Sequence, residues 1–195
     1  MKIFYFIIIL FCLGASFFNK VSRQNLLYIY FLIVVIFEGG IFVRILPRVI
    51  YNSSPLLYLP FFTFYFLNQN NGNKKTIYSI GSIAFIICVY FYTYEGLENY
   101  STRAGTAMSI TYIVYSLLWF LTQIISPDEN SLLKKQAFWI SSSLLIWAVF
   151  FIFRSIPMYW LNIHDHDFLV QINFGFHIIT IFSYLLFLRG LFCKI

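Results

Sequence analysis

The stretch Ala104–Ile125, AGTAMSITYIVYSLLWFLTQII, contains no Asp, Glu, Lys or Arg, and the polar turn Ser126-Pro127-Asp128-Glu129-Asn130 closes it. Roughly 20 consecutive apolar residues let an α-helix cross the hydrocarbon core of a bilayer, and this run is that long. A barrel strand would alternate apolar and polar residues over about ten positions, whereas here apolar residues fall on every side. The run reads as a helix surrounded by lipid. Six similar runs flank it: Ile3–Phe18, Leu26–Leu46, Leu56–Leu67, Thr76–Tyr94, Phe138–Phe153 and Phe168–Phe192. Together they predict an all-α, polytopic transmembrane helical bundle of about seven spans with no soluble domain. Leu56–Leu67 is short for a crossing and carries Pro60. It either borrows length from Pro47–Pro55 or only dips into the bilayer, which would leave six spans.

The composition agrees. Of the 195 residues, 61% are hydrophobic and 10% charged, with a mean hydropathy of +0.80. A soluble domain is about a quarter charged. A chain so poor in charge cannot clothe a folded surface in polar groups, which excludes a soluble monomer; the same hydrophobicity excludes disorder. Cys12, Cys88 and Cys193 leave one cysteine over in any pairing and all lie in apolar runs, so a disulfide scaffold is excluded as well. Seven spans would take about 140 residues, which puts any activity in the helices, at their ends or in a partner protein. The first run, ending Leu13-Gly14-Ala15-Ser16, also has the outline of a signal peptide. Phe17-Phe18 after the small residues and the weak basic start favour a retained helix.

Lys and Arg set the expected orientation. Across seven spans one side receives Lys20, Arg23, Lys74, Lys75, Lys134, Lys135, Arg189 and Lys194; the other receives Lys2, Arg44, Arg48, Arg103 and Arg154. The richer side faces the cytoplasm, so the N-terminus is expected outside and the C-terminus inside, in the cell inner membrane. These flanks account for the net charge of +6, and no nucleic-acid partner is read from it. The expected partners are the lipid bilayer and a protein on the cytoplasmic side, with homo-oligomerisation left open.

That topology sorts the groups able to do chemistry. Glu38, Glu95, Glu98, His164, Asp165, His166 and Asp167 fall outside; Asp128 and Glu129 fall inside. Within the spans, Glu38 and Arg44 are the informative pair, because ionisable groups in lipid tend to face the bundle interior and find partners. Six residues apart, they do not share a helical face, so each is expected to pair elsewhere or to snorkel to the interface. Arg154, at a similar depth, is a candidate partner for Glu38. His177, inside the last run, is expected to make an interhelical hydrogen bond or to serve as a ligand site. His164-Asp165-His166-Asp167 offers zinc-type ligands: in an extended segment both imidazoles would point to one side, and Glu38 or His177 would complete the set. The alternative is a solvated turn whose Asp residues sit at a helix N-terminus. H-E-x-x-H, C-x-x-C and G-x-S-x-G are all absent from the sequence.

Three passages carry a resemblance. They are Gln136-Ala137-Phe138-Trp139-Ile140-Ser141 before the sixth span, Asn52-Ser53-Ser54-Pro55-Leu56-Leu57-Tyr58 before the third, and the last span with His177 and Phe187-Leu188-Arg189-Gly190-Leu191. In this layout the chain resembles small multi-pass membrane proteins of Bacteroidetes-type bacteria. The acidic residue that the resemblance would place in the third span is replaced by Phe64-Tyr65-Phe66. Related spans precede histidine kinases in some architectures, so the resemblance implies a sensory or accessory role exercised through a cytoplasmic partner.

Three functions are therefore expected, in this order. The first is a non-enzymatic sensor or accessory protein. The second is a membrane effector or pore subunit of a bacterial antiviral or CRISPR-linked system. The third is an intramembrane hydrolase in which a metal-bound water attacks a lipid carbonyl or phosphate, with His164, His166, His177 and Glu38 as its residues. The first two need no cofactor; the third needs a zinc-like metal.

Overall fold

The computed structural model describes residues 2–47, 52–69, 74–96, 101–127 and 129–193, and these are helical throughout apart from short turns. In chain order the helices are α1 Lys2–Phe18, α2 Lys20–Gln24, α3 Leu27–Phe42, α4 Ser54–Gln69, α5 Lys74–Glu95, α6 Thr102–Ile125, α7 Gln136–Ser155, α8 Met158–His164 and α9 His166–Leu191. Four of them, α5, α6, α7 and α9, are long and apolar enough to cross a membrane, and α1 and α3 contribute shorter apolar helices. The helix α4 carries Pro60 on an exposed face, where it lacks the N–H that would donate back along the helix.

Local chemistry places the breaks. The Asn19 side chain accepts from the backbone N–H groups of Val21 (2.8 Å) and Ser22 (3.2 Å), so α2 starts directly where α1 stops. Leu26, left-handed at φ 57°, then reverses the chain into α3. Ser101 caps α6 by accepting from Ala104 N–H at 3.2 Å. The expectation that the second helix would continue to Leu46 is corrected: α3 ends at Phe42, and Arg44 adopts a left-handed φ of 62°. The N–H groups of Arg44 and Ile45 turn back to the carbonyls of Ile41 (3.1 Å) and Gly40 (2.9 Å), closing the helix end. Gly40 leaves room for the Leu46 side chain, which a Cβ there would displace.

The longer helices alternate in direction along the chain. Contacts at both ends fix this: Tyr5 meets Glu38 and Phe17 meets Tyr28 between α1 and α3, while Trp147 meets Phe176 and Trp139 meets Arg189 between α7 and α9. Around the bundle α3 packs on α1, α1 on α9, α9 on α7, α7 on α6, and α6 on α4 and α5. Aromatic side chains close the circuit between α3 and α4, with Tyr30 meeting Tyr58 at 5.2 Å and Phe62 at 4.9 Å between ring centroids. The helix α5 braces the outside of α4 and α6. Gly81 allows it to approach, because a Cβ there would lie 2.5 Å from both Thr63 Cγ2 and the Tyr115 hydroxyl oxygen.

Without a water-driven force between helices in lipid, close packing and interhelical hydrogen bonds hold such a bundle. Ser143 donates to the Ser183 carbonyl at 2.7 Å and Ser183 donates to the Ser143 carbonyl at 3.1 Å, tying α7 to α9. At the end where α1, α4 and α9 finish, an amide clamp joins four segments. Gln136 donates to Ser22 Oγ (2.6 Å) and accepts from Asn25 (3.0 Å), whose own carbonyl oxygen accepts from Gln69 (3.2 Å). Asn19 adds hydrogen bonds to the Leu191 and Cys193 carbonyls at 2.7 and 2.8 Å. Ser22, Asn25 and Gln136 are all buried.

Candidate ligand cavity

At the opposite end the helices stand apart. Residues of α1, α3, α4, α6, α7 and α9 enclose a cavity of about 1480 Å³, well above the roughly 300–1,000 Å³ that accommodates most drug-sized ligands. Its walls are mainly aromatic and aliphatic: Val34, Phe62, Met108, Leu144, Trp147 and Phe187 are among them. Its charged groups come from the end of α3 and the turn after it, the end of α7 and the middle of α9, and hydroxyls of Tyr5, Tyr30, Tyr58, Tyr112, Ser183 and Tyr184 also line it. Glu38, Arg44, Arg154 and His177, the four polar residues singled out from the sequence, all line this one cavity.

Each is held differently. Half-buried Glu38 accepts a hydrogen bond from the Tyr5 hydroxyl at 2.9 Å. Arg154 donates through Nε to Asn173 Oδ1 at 2.6 Å and spreads its guanidinium 4.9 Å from the centroid of the Phe176 ring. The pairing of Arg154 with Glu38 considered from the sequence is therefore replaced by Tyr5 for the carboxylate and Asn173 for the guanidinium. Arg44 is exposed at the rim, where the left-handed turn carries it off the helix surface. His177 lies four residues beyond Asn173 on α9, one helical turn deeper.

The cavity ends on a floor of packed side chains. Leu27, Tyr65, Phe66, Tyr115, Trp119, Ile140 and Leu191 are buried, and none of them lines the cavity. These residues belong to the halves of their helices nearer the amide clamp, which therefore lies on the far side of the floor.

The His/Asp cluster lies elsewhere. The chain does not run extended through it: His164 ends α8, Asp165 caps α9 by accepting from Phe168 N–H at 3.0 Å, and His166 is the first residue of α9. The His164 ring stacks on Trp160 with centroids 4.6 Å apart, and its Nδ1 lies 2.9 Å from the Trp160 carbonyl. His164, Asp165, His166 and Asp167 are exposed, and none of them lines the cavity. Among the described residues no three His, Cys, Asp or Glu side chains gather closely enough to hold a metal ion. Glu98 lies outside the described residues, as do Arg48, Asp128 and Lys194.

Sequence reading missed Tyr5, Asn173 and the clamp residues Asn25, Gln69 and Gln136. Their partners lie between 19 and 114 positions away in the chain, and no helical period connects such distances. One signal was available: Asn25, Gln69 and Gln136 each sit at the last or first polar step beside an apolar run, where an amide can meet a neighbouring helix end. Comparison with family models, with curated proteins and with solved structures gives no match to this chain.

Proposed function

We propose that this chain is a multi-pass membrane protein of sensor or accessory type, which admits a small ligand into the cavity and acts through a partner rather than by catalysis. In this reading α1, α3, α4, α5, α6, α7 and α9 each cross the bilayer, and the cavity opens to the outer side. The observation that carries it is the contrast between the two ends: a polar-rimmed cavity at one and a buried amide clamp at the other. The distribution of cations supports the orientation. Lys20, Arg23, Lys74, Lys75, Lys134, Lys135 and Arg189 belong to the clamped end; all but buried Lys135 are exposed and give an acidic partner or anionic lipid a surface to meet.

Purification in mild detergent followed by native mass spectrometry tests this. The expected result is a small molecule retained at one per chain and lost in Leu144→Trp, which fills the cavity. If the variant retains the same mass at the same occupancy, the cavity is not the binding site. Ion conductance from a ring of copies reconstituted in vesicles would replace this reading with the pore-subunit alternative.

A further inference from the structure

Building on the cavity as a ligand site, we propose that its ligand is an anionic amphiphile, with the negative head held at the rim by Arg44 and Arg154 and the hydrocarbon tail lying along the aromatic wall toward the floor. Charge sets the head. Among the described residues two guanidiniums and one carboxylate, Glu38, line the cavity; the carboxylate accepts a hydrogen bond from Tyr5, and Arg154 keeps its terminal nitrogens beyond the Nε that donates to Asn173. Among the described lining residues the formal charges sum to one positive before His177 is counted. Guanidinium groups are the side chains best matched to carboxylate and phosphate oxygens, since their planar donors meet two oxygens at once.

The wall sets the tail. Below the rim Val34, Met108, Leu144, Trp147 and Phe187 outnumber the hydroxyls of Tyr30, Tyr112, Ser183 and Tyr184, and they gain by burying methylene groups. Each one buried tightens binding by about fourfold, the equivalent of its transfer free energy. The volume exceeds what a compact polar metabolite fills, so a long chain uses space that a small anion would leave as solvent. A free long-chain carboxylate and the phosphate of an anionic phospholipid present the same chemistry.

Trp147 in the wall is a built-in reporter, because bromine atoms on an acyl chain quench tryptophan fluorescence on contact. Full-length protein in detergent at pH 8 would be titrated with dibromostearate, with its uncharged methyl ester, and with brominated phosphatidylglycerol and phosphatidylcholine. Saturable quenching by the acid is expected, largely lost in Trp147→Phe, with the ester at least about tenfold weaker, as expected for loss of a charge-assisted contact. Arg154→Gln should bring the acid close to the ester; Arg44→Gln, at an exposed position, gives the same comparison if the first variant does not fold. Quenching by brominated phosphatidylglycerol but not phosphatidylcholine assigns the anion to a lipid headgroup, and quenching by dibromostearate alone assigns it to a free carboxylate. Equal affinity for acid and ester, with quenching still dependent on Trp147, overturns the anionic head while leaving a ligand cavity. Absence of any saturable quenching dependent on Trp147 overturns both.

Discussion

Arg44 shows how one residue serves two demands that oppose each other. Its left-handed φ of 62° is a conformation that glycine adopts freely and that costs a residue with a Cβ roughly 1–2 kcal/mol. The same turn carries its cation to the cavity rim. Arg44→Gly is therefore expected to raise stability by about 0.5–1 kcal/mol, read as a higher unfolding temperature in detergent, while weakening binding of an anionic ligand. A fall in the unfolding temperature would show that Arg44 contacts stabilise the helix end more than its backbone conformation costs. From the sequence Arg44 was legible as a polar residue in an apolar run. Its place in a turn was not, because the apolar character continues through Ile45 and Leu46 and the helix-closing hydrogen bonds are formed by backbone groups alone.

At the level of helices, hydrophobicity located the apolar runs well, since each long run coincides with a helix except where α3 stops early. It could not locate α2 and α8. Five and seven residues long, they are too short to show a period and are set by the Asn19 cap and Pro157 rather than by an apolar face. Nor does hydrophobicity reveal which helix touches which, because in lipid an outward-facing Ile and an inward-facing one look alike in sequence. Glycine is the better guide to contacts. Gly81 on α5 lies against Thr63 of α4 and Tyr115 of α6, whose hydroxyls are 2.9 Å apart, and Tyr115 also donates to the Ile77 carbonyl at 3.2 Å. Gly81→Ala is expected to push α5 away from both neighbours and cost about 1–3 kcal/mol, the usual range for overpacking a core. Gly14→Ala, on α1 with open space around the added carbon, is the control and should leave the unfolding temperature nearly unchanged or slightly higher.

For the molecule as a whole, six helices surround the cavity while α5 stands outside the circuit, and the clamp fixes their ends on one side only. Gln136 is the centre of that clamp. Gln136→Ala leaves buried Ser22 and Asn25 without their partner on α7, and each buried polar group so orphaned costs about 1–3 kcal/mol. A loss of about 2–4 kcal/mol is expected, with increased protease cutting near Asn25 and Gln69 rather than at the cavity end; an unaltered pattern would show that the clamp does not hold these ends. Most of the polar site was legible because charges in an apolar chain are few enough to name individually. The clamp was not, because amides beside helix ends also occur in ordinary solvated turns.

The floor and the clamp separate the cavity from the other end of the bundle. In the proposed reading, a ligand that exchanges at the rim reaches an occupancy set by its chemical potential in the compartment or leaflet that the rim faces. On that proposal, escape past Arg44 and Arg154 sets how long a ligand stays, and retention at the rim, rather than entry, governs how long an occupied state would last.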